Sequence, residues 1–217
     1  MADAASRAGL RYDSPAILEF VNALHVPHDQ ALAAAFDAAA LEGLPPIQVG
    51  PSEGKLLGLL LRLIGARRVV EVGTLAGYSA IHLARGLNAD GHLWSLEMDP
   101  HHAAVAQGNL ALAGLSERST VLVGPALEGL PGLVPQGPFD AVFIDADKGN
   151  YDHYGRWAAA NLRPGGLLLG DNAYYFGNLL DDQPEAAAMR RFHQEAGEAF
   201  DCVCIPTPDG LLLGIKR

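Results

Sequence analysis

Apolar residues recur at helical spacing through the first part of the chain and in short strand-like runs after it. Ser14-Pro15 reads as an N-cap followed by proline at the first helical position. Ile17, Leu18, Val21 and Leu24 then fall on one helix face, and Pro27 ends the run. A second, alanine-rich helix is predicted from about Asp29 to Leu41, closing at Gly43, and Pro45-Pro46 forbids regular structure after it. A third begins at Ser52, with Leu56, Leu57, Leu60, Leu61 and Ile64 on its apolar face.

Beyond it the pattern alternates. Strands are predicted at Val69–Val72, Leu93–Leu96, Thr120–Val123, Ala141–Ile144 and Leu167–Leu169. Helices are predicted at Ala76–Leu87, Pro100–Ala113, near Leu127, at Tyr151–Leu162 and at Pro184–Ala199. Such alternation predicts a parallel sheet covered by helices on both faces. The last two apolar runs, Cys202–Ile205 and Leu211–Ile215, are joined only by the turn signal P-T-P-D-G. The sheet should therefore end in an antiparallel hairpin.

Composition narrows the class. A chain of 217 residues with 49% hydrophobic and 18% charged positions can bury a core without staples and is not a disordered tail. Its net charge of −10 argues against nucleic acid and anionic membrane surfaces as general partners. The most apolar early run, Leu56 to Ile64, is interrupted by Gly58 and Arg62 and is too short for the roughly 18 residues of a membrane span. The N-terminal residues carry no leader pattern, so a reducing cytosol is expected. Cys202 and Cys204 are expected to be buried free thiols on one side of a strand.

Candidate chemistry gathers at strand ends. The loop Glu71-Val72-Gly73-Thr74-Leu75-Ala76-Gly77-Tyr78-Ser79 follows the first strand but lacks the G-x-G-x-x-G spacing of a dinucleotide site. Its helix N-terminus still offers free N–H groups. Glu97 closes the second strand, where an acid can accept hydrogen bonds from a ribose diol. Glu71 lies inside an apolar strand and needs a partner to offset its desolvation. Two later strands end in Phe143-Ile144-Asp145-Ala146-Asp147-Lys148 and Gly170-Asp171-Asn172. Asp145, Asp171 and Asn172 offer hard oxygen donors of the kind Mg²⁺ takes, although each alone could be a helix cap. Lys148, beside a divalent cation, could act as a neutral base.

The segments V-V-E-V-G-T-L-A-G-Y-S-A, S-L-E-M-D-P, F-D-A-V-F-I-D-A-D-K-x-x-Y, L-R-P-G-G-L-L-L-G-D-N and D-G-L-L-L-G resemble the cation-dependent S-adenosylmethionine O-methyltransferases. That group includes the catechol and caffeoyl-coenzyme A enzymes and their bacterial relatives. The likeness runs from about Ile47 to Arg217 and keeps motif order. It implies a Rossmann-like α/β fold with seven strands, a reversed final strand, helices on both faces and an N-terminal helical extension. Residues 1–50 would be that extension, forming substrate and dimer contacts, and 51–217 the methyltransferase domain.

The resemblance also implies roles. Glu71, Gly73 and Ser79 would line the methionine end of S-adenosylmethionine and Glu97 its ribose, with Thr74 also binding the cofactor. Ala126 would sit by the adenine, Val49 would close over the cofactor, and Asp147 would contact it. Asp145, Asp171 and Asn172 would hold Mg²⁺ or another divalent cation, and Lys148 would be the catalytic lysine. The acceptor would be a small phenolic or catechol-like molecule. Where relatives often carry an aliphatic pair, tryptophan and glycine, this chain has Ala173-Tyr174-Tyr175-Phe176-Gly177, which implies a different acceptor pocket. Two other readings are a cofactor-binding protein without catalysis and a nicotinamide dehydrogenase. The missing G-x-G-x-x-G opposes the second, and the intact Asp145, Lys148, Asp171 and Asn172 oppose the first.

Overall fold

In the computed structural model, which describes residues 3–9 and 13–217 without the side chains of Ser6 and Ala39, the sequence pattern resolves into helices followed by a wound sheet. Residues 1, 2 and 10–12 of the helical extension lie outside the description. The N-terminal helices are α1 (Ala4–Arg7), α2 (Pro15–His25), α3 (Gln30–Glu42) and α4 (Pro51–Leu63). Their ends follow the signals in the chain. Ser14 Oγ accepts from the Ile17 N–H at 3.4 Å, Asp29 caps α3 through the Leu32 N–H at 3.0 Å, and Gly43 closes α3 in the left-handed conformation. Helix α4 starts at Pro51, one residue earlier than expected, because Glu53 folds back onto the Gly50 N–H at 2.7 Å.

The sheet elements follow as β1 (Arg68–Val72), α5 (Tyr78–Gly86), β2 (His92–Glu97), α6 (Pro100–Leu112), β3 (Ser119–Val123), α7 (Ala126–Leu133), β4 (Phe139–Ile144), α8 (Tyr151–Asn161), β5 (Leu162–Gly170), α9 (Pro184–Ala199), β6 (Phe200–Ile205) and β7 (Leu211–Lys216). The strand order is β3-β2-β1-β4-β5-β7-β6. All neighbours pair in parallel except β7, which runs antiparallel to both β5 and β6, as the P-T-P-D-G turn predicts.

Alternation along the strands splits the core. Val69, Leu93, Ala141, Phe143, Leu167, Leu169 and Leu211 face one side, where Ala31, Leu32 and Ala35 of α3 and Leu57 and Leu61 of α4 meet α5. Val70, Val72, Leu96, Val142, Ile144, Leu168 and Leu212 face the other side, packed by α7, α8 and α9. Each fully buried large side chain contributes about 1.5–3 kcal/mol. The α3 helix thus shares a core with the sheet.

Three expectations are corrected. Helix α5 begins at Tyr78, not Ala76, because Leu75 and Gly77 take positive φ (51° and 83°) and lengthen the loop. Strand β5 starts at Leu162, five residues early, where one pairing with Phe139 precedes a register shift. The cysteines are free but not buried: Cys202 is exposed and Cys204 half-buried. They lie on β6, the outermost strand, and a two-residue apolar spacing does not reveal that a strand is at the edge.

Candidate active site

Parallel register carries the strand ends to a common edge. Val72 pairs with Leu96 and Ile144, and Ile144 pairs with Gly170. One residue further, the Gly73 N–H donates to Leu96 O at 2.9 Å, Asp145 N–H to Val72 O at 2.8 Å, and Asp171 N–H to Ile144 O at 2.9 Å. The ladder therefore sets Gly73, Glu97, Asp145 and Asp171 side by side along the carboxyl edge. The chain reverses its winding between β1 and β4, which is where doubly wound sheets bind ligands.

The glycine loop is built against this edge. Gly73 has φ +88°, and a Cβ there would lie 2.1 Å from Asp145 O, so only glycine allows the close approach of the two strand ends. Glu97 Oε2 accepts from the Thr74 and Leu75 N–H groups at 3.2 and 2.8 Å, and Oε1 accepts from the Asp99 N–H at 3.0 Å. Beneath the loop, the fully buried Glu71 has both oxygens taken, by Ser79 Oγ at 2.5 Å and Ser95 Oγ at 2.6 Å. Burial pushes its carboxyl up to about 7, although the serine hydroxyls oppose the rise. The desolvation problem set by an acid inside an apolar strand is thus met by two serines of the protein itself.

At the ends of β4 and β5 two acids crowd together. Burial and then the Asp145 charge push Asp171 up to about 7. Asp145 is raised as well, by burial first and by the Asp209 charge, with Lys148 opposing. Lys148 Nζ lies 3.3 Å from Asp145 Oδ1 and donates to Tyr151 Oη at 2.8 Å. Asn172 follows at φ +52°, a conformation asparagine tolerates better than most residues. Among the described residues no three His, Cys, Asp or Glu side chains gather as a metal cluster, so the candidate set is two carboxylates and an amide. An all-oxygen set under like-charge strain suits a hard divalent cation, which would relieve both carboxylates.

The other expected residues are spread around this edge. Asp147 Oδ1 accepts from Tyr154 Oη and Oδ2 from Asn150 Nδ2, both at 2.6 Å. Ala126 opens α7, half-buried and packed against the second core. Val49 is buried in the first core, and the loop that carries it is fixed by the bond from Gly50 to Glu53. Three participants were not singled out from the sequence. Tyr151 locks the lysine, Glu53 adds charge near Asp171, and Asp209 adds charge near Asp145. Tyr151 left a signal in the D-K-x-x-Y spacing that places it one helical turn beyond Lys148, and Asp209 in the D-G-L-L-L-G segment, whereas Glu53 left none.

A family model described as O-methyltransferase matches residues 25–217, extending further into the N-terminal helices than the motifs do. A catechol O-methyltransferase of Niastella koreensis is 46% identical over 201 residues, covering 87% of this chain and 91% of that protein. One from Mycobacterium tuberculosis is 44% identical over 212 residues, covering 94% and 96%. The crystal structure of a Streptomyces achromogenes O-methyltransferase involved in tomaymycin synthesis, in complex with S-adenosylmethionine, superposes with a TM-score of 0.89 at 36% identity, covering 93% and 96%. With a matched model spanning most of its length and close relatives aligned nearly end to end, this chain belongs to the O-methyltransferase family.

Proposed function

We propose that this protein transfers a methyl group from S-adenosylmethionine to one hydroxyl of a small catechol-like acceptor, with a divalent cation bound at Asp145, Asp171 and Asn172. The observation that carries this reading is the placement of Lys148 Nζ beside the strained carboxylate pair Asp145 and Asp171.

When bound, the cation would supply Lewis acidity and charge neutralisation at the acceptor's two oxygens. The protein does the rest. Lys148 takes the hydroxyl proton at Nζ, and Asp145 and Tyr151 fix where that nitrogen stands. Glu97 holds the cofactor ribose through its carboxylate while its bonds to Thr74 and Leu75 keep the glycine loop in place. Gly73, Thr74 and Ser79 present the loop to the methionine end, Ala126 borders the adenine, and Asp147 and Val49 flank the cofactor. Methyl transfer in line then depends mainly on alignment and on stabilising the negative oxygen.

The test compares a catechol with its monophenol analogue, each with and without chelator. A large catechol advantage that chelation abolishes and Mg²⁺ restores is expected. Equal rates unaffected by chelator would overturn the reading.

We also read the N-terminal helices as the seat of a second copy. Helix α2 buries none of its residues in the chain, and Ile17, Phe20 and Leu24 stand exposed. Sedimentation should give a dimer. The two free cysteines fit a cytoplasmic setting, and among the described residues no helix is long and apolar enough to cross a membrane.

A further inference from the structure

The segment after β5 is strained. Asn172, Tyr175 and Phe176 all take positive φ, at 52°, 49° and 53°. Each such non-glycine conformation costs on the order of 1 kcal/mol or more and persists only where neighbours over-determine it. The neighbour is the turn between β6 and β7. The Ala173 N–H donates to Gly210 O and the Tyr174 N–H to Asp209 O, both at 2.9 Å, while the Phe176 N–H donates to Asp209 Oδ1 at 2.8 Å. Gly210, at φ +79°, must be glycine, because a Cβ would meet the Tyr174 ring at 2.8 Å.

This docking uses one oxygen of Asp209 and leaves the other. Oδ2 is sealed from solvent and makes no bond that meets hydrogen-bond geometry. The Asn172 side chain lies within reach of the Asp209 carboxylate. Asparagine carries an acceptor oxygen and a donor NH₂ of nearly the same shape. A cation takes only the oxygen. A carboxylate, which only accepts, takes only the NH₂.

We propose that Asp209 is a positioning residue for Asn172: its free Oδ2 draws the amide NH₂ toward the β6–β7 turn and so turns the amide oxygen toward the cation. The inference rests on the reading of Asp145, Asp171 and Asn172 as metal ligands. It makes a counterintuitive demand. Asp209→Asn keeps an oxygen for the Phe176 N–H but sets an NH₂ where Oδ2 was, which favours the wrong amide orientation of Asn172. It should harm cation binding at least as much as Asp209→Ala, while disturbing the loop less.

The probe is Mn²⁺, titrated calorimetrically into the full chain without acceptor, alongside S-adenosylhomocysteine affinity and thermal melting. Asp209→Asn should weaken Mn²⁺ binding about 10–100-fold, the usual effect of removing a partner that orients a ligand, with melting and S-adenosylhomocysteine affinity little changed. A carboxylate at position 172 has no orientation to choose. In an Asn172→Asp background, Asp209→Asn should therefore no longer weaken Mn²⁺ binding. Wild-type Mn²⁺ affinity in Asp209→Asn, or an equal penalty in the Asn172→Asp background, would overturn the proposal. So would loss of the melting transition in both Asp209 variants, which would make Asp209 a folding residue only. Asp171→Ala is the separate control: if it leaves Mn²⁺ binding intact, the metal-ligand reading itself fails, whatever Asp209 does.

Discussion

Tyr151 Oη sits 2.8 Å from Lys148 Nζ and donates its own proton toward two strand-end carbonyls, Ile144 O at 3.1 Å and Asp171 O at 2.9 Å. The ring is fully buried against Phe192, with centroids 5.4 Å apart. A single hydroxyl therefore ties the lysine to the ends of β4 and β5. The hydroxyl has one hydrogen and aims it at these carbonyls, so the bond to Lys148 is donated by the lysine nitrogen.

Tyr151→Phe keeps the ring and removes that tie. Turnover should fall about 10–100-fold, the cost of letting a reacting group drift by about an ångström. Cofactor affinity should stay the same, and stability should drop by about 1–3 kcal/mol as the Asp171 carbonyl loses its donor. Steady-state kinetics with calorimetry checks this, and wild-type turnover would show that Lys148 needs no such anchor.

Asp171→Ala and Asn172→Ala should lower turnover strongly while leaving S-adenosylmethionine binding largely intact, because the cofactor site proposed above leans on the ends of β1 and β2. Parallel loss of cofactor affinity in either variant would argue that the strand ends act as one site and not two.

Glu97→Ala should weaken S-adenosylmethionine binding by about 1–3 kcal/mol, since a charge-assisted acceptor is lost. The structure adds a second effect. The Thr74, Leu75 and Asp99 N–H groups lose their partner, so hydrogen exchange across the Gly73–Gly77 loop should quicken. Unchanged affinity in a folded variant would remove Glu97 from the site.

Glu71 should impress itself on stability as a function of pH. Its folded pKa of about 7 lies above its ordinary 4.5. Its contribution is therefore fully present below about pH 4.5 and is lost as pH rises through about 7, a change of roughly 3 kcal/mol. His82 works the other way. Burial holds it at about 4, so stability is lost as pH falls from about 6.5. The comparison is thus wild type against Glu71→Gln by denaturant titration at several pH values. The variant should gain on the wild type between pH 5 and pH 8 on the order of that amount, and a constant difference would sink the assignment.

Much of this arrangement is legible along the chain because it is periodic or local. Val69 to Val72 and Ala141 to Ile144 are β-branched or apolar runs bounded by turns, and they pair as neighbouring strands in the same register. Asp145, Lys148, Asp171 and Asn172 are legible because polar residues cut off apolar strands at one end. The position of β6 at the edge, and with it the exposure of Cys202, depends on which strands become neighbours. Asp209 reads as an ordinary turn residue until β7 enters beside β5 and carries the turn to Asn172. Glu71 signals a need for a partner, but Ser95 belongs to another strand, and only the pairing of β1 with β2 brings it opposite.

Strand β7 lies inside the sheet, between β5 and β6, although it is the last of the seven to be synthesised. Until Leu211–Lys216 emerges from the ribosome, β5 has an open edge and β6 has no neighbour to hold it. A nascent chain stalled short of that point carries two unpaired strand margins, the kind that recruit other chains. Loss of this one short segment should therefore act less like trimming a border than like removing a keystone, leaving insoluble material in place of a slightly smaller enzyme.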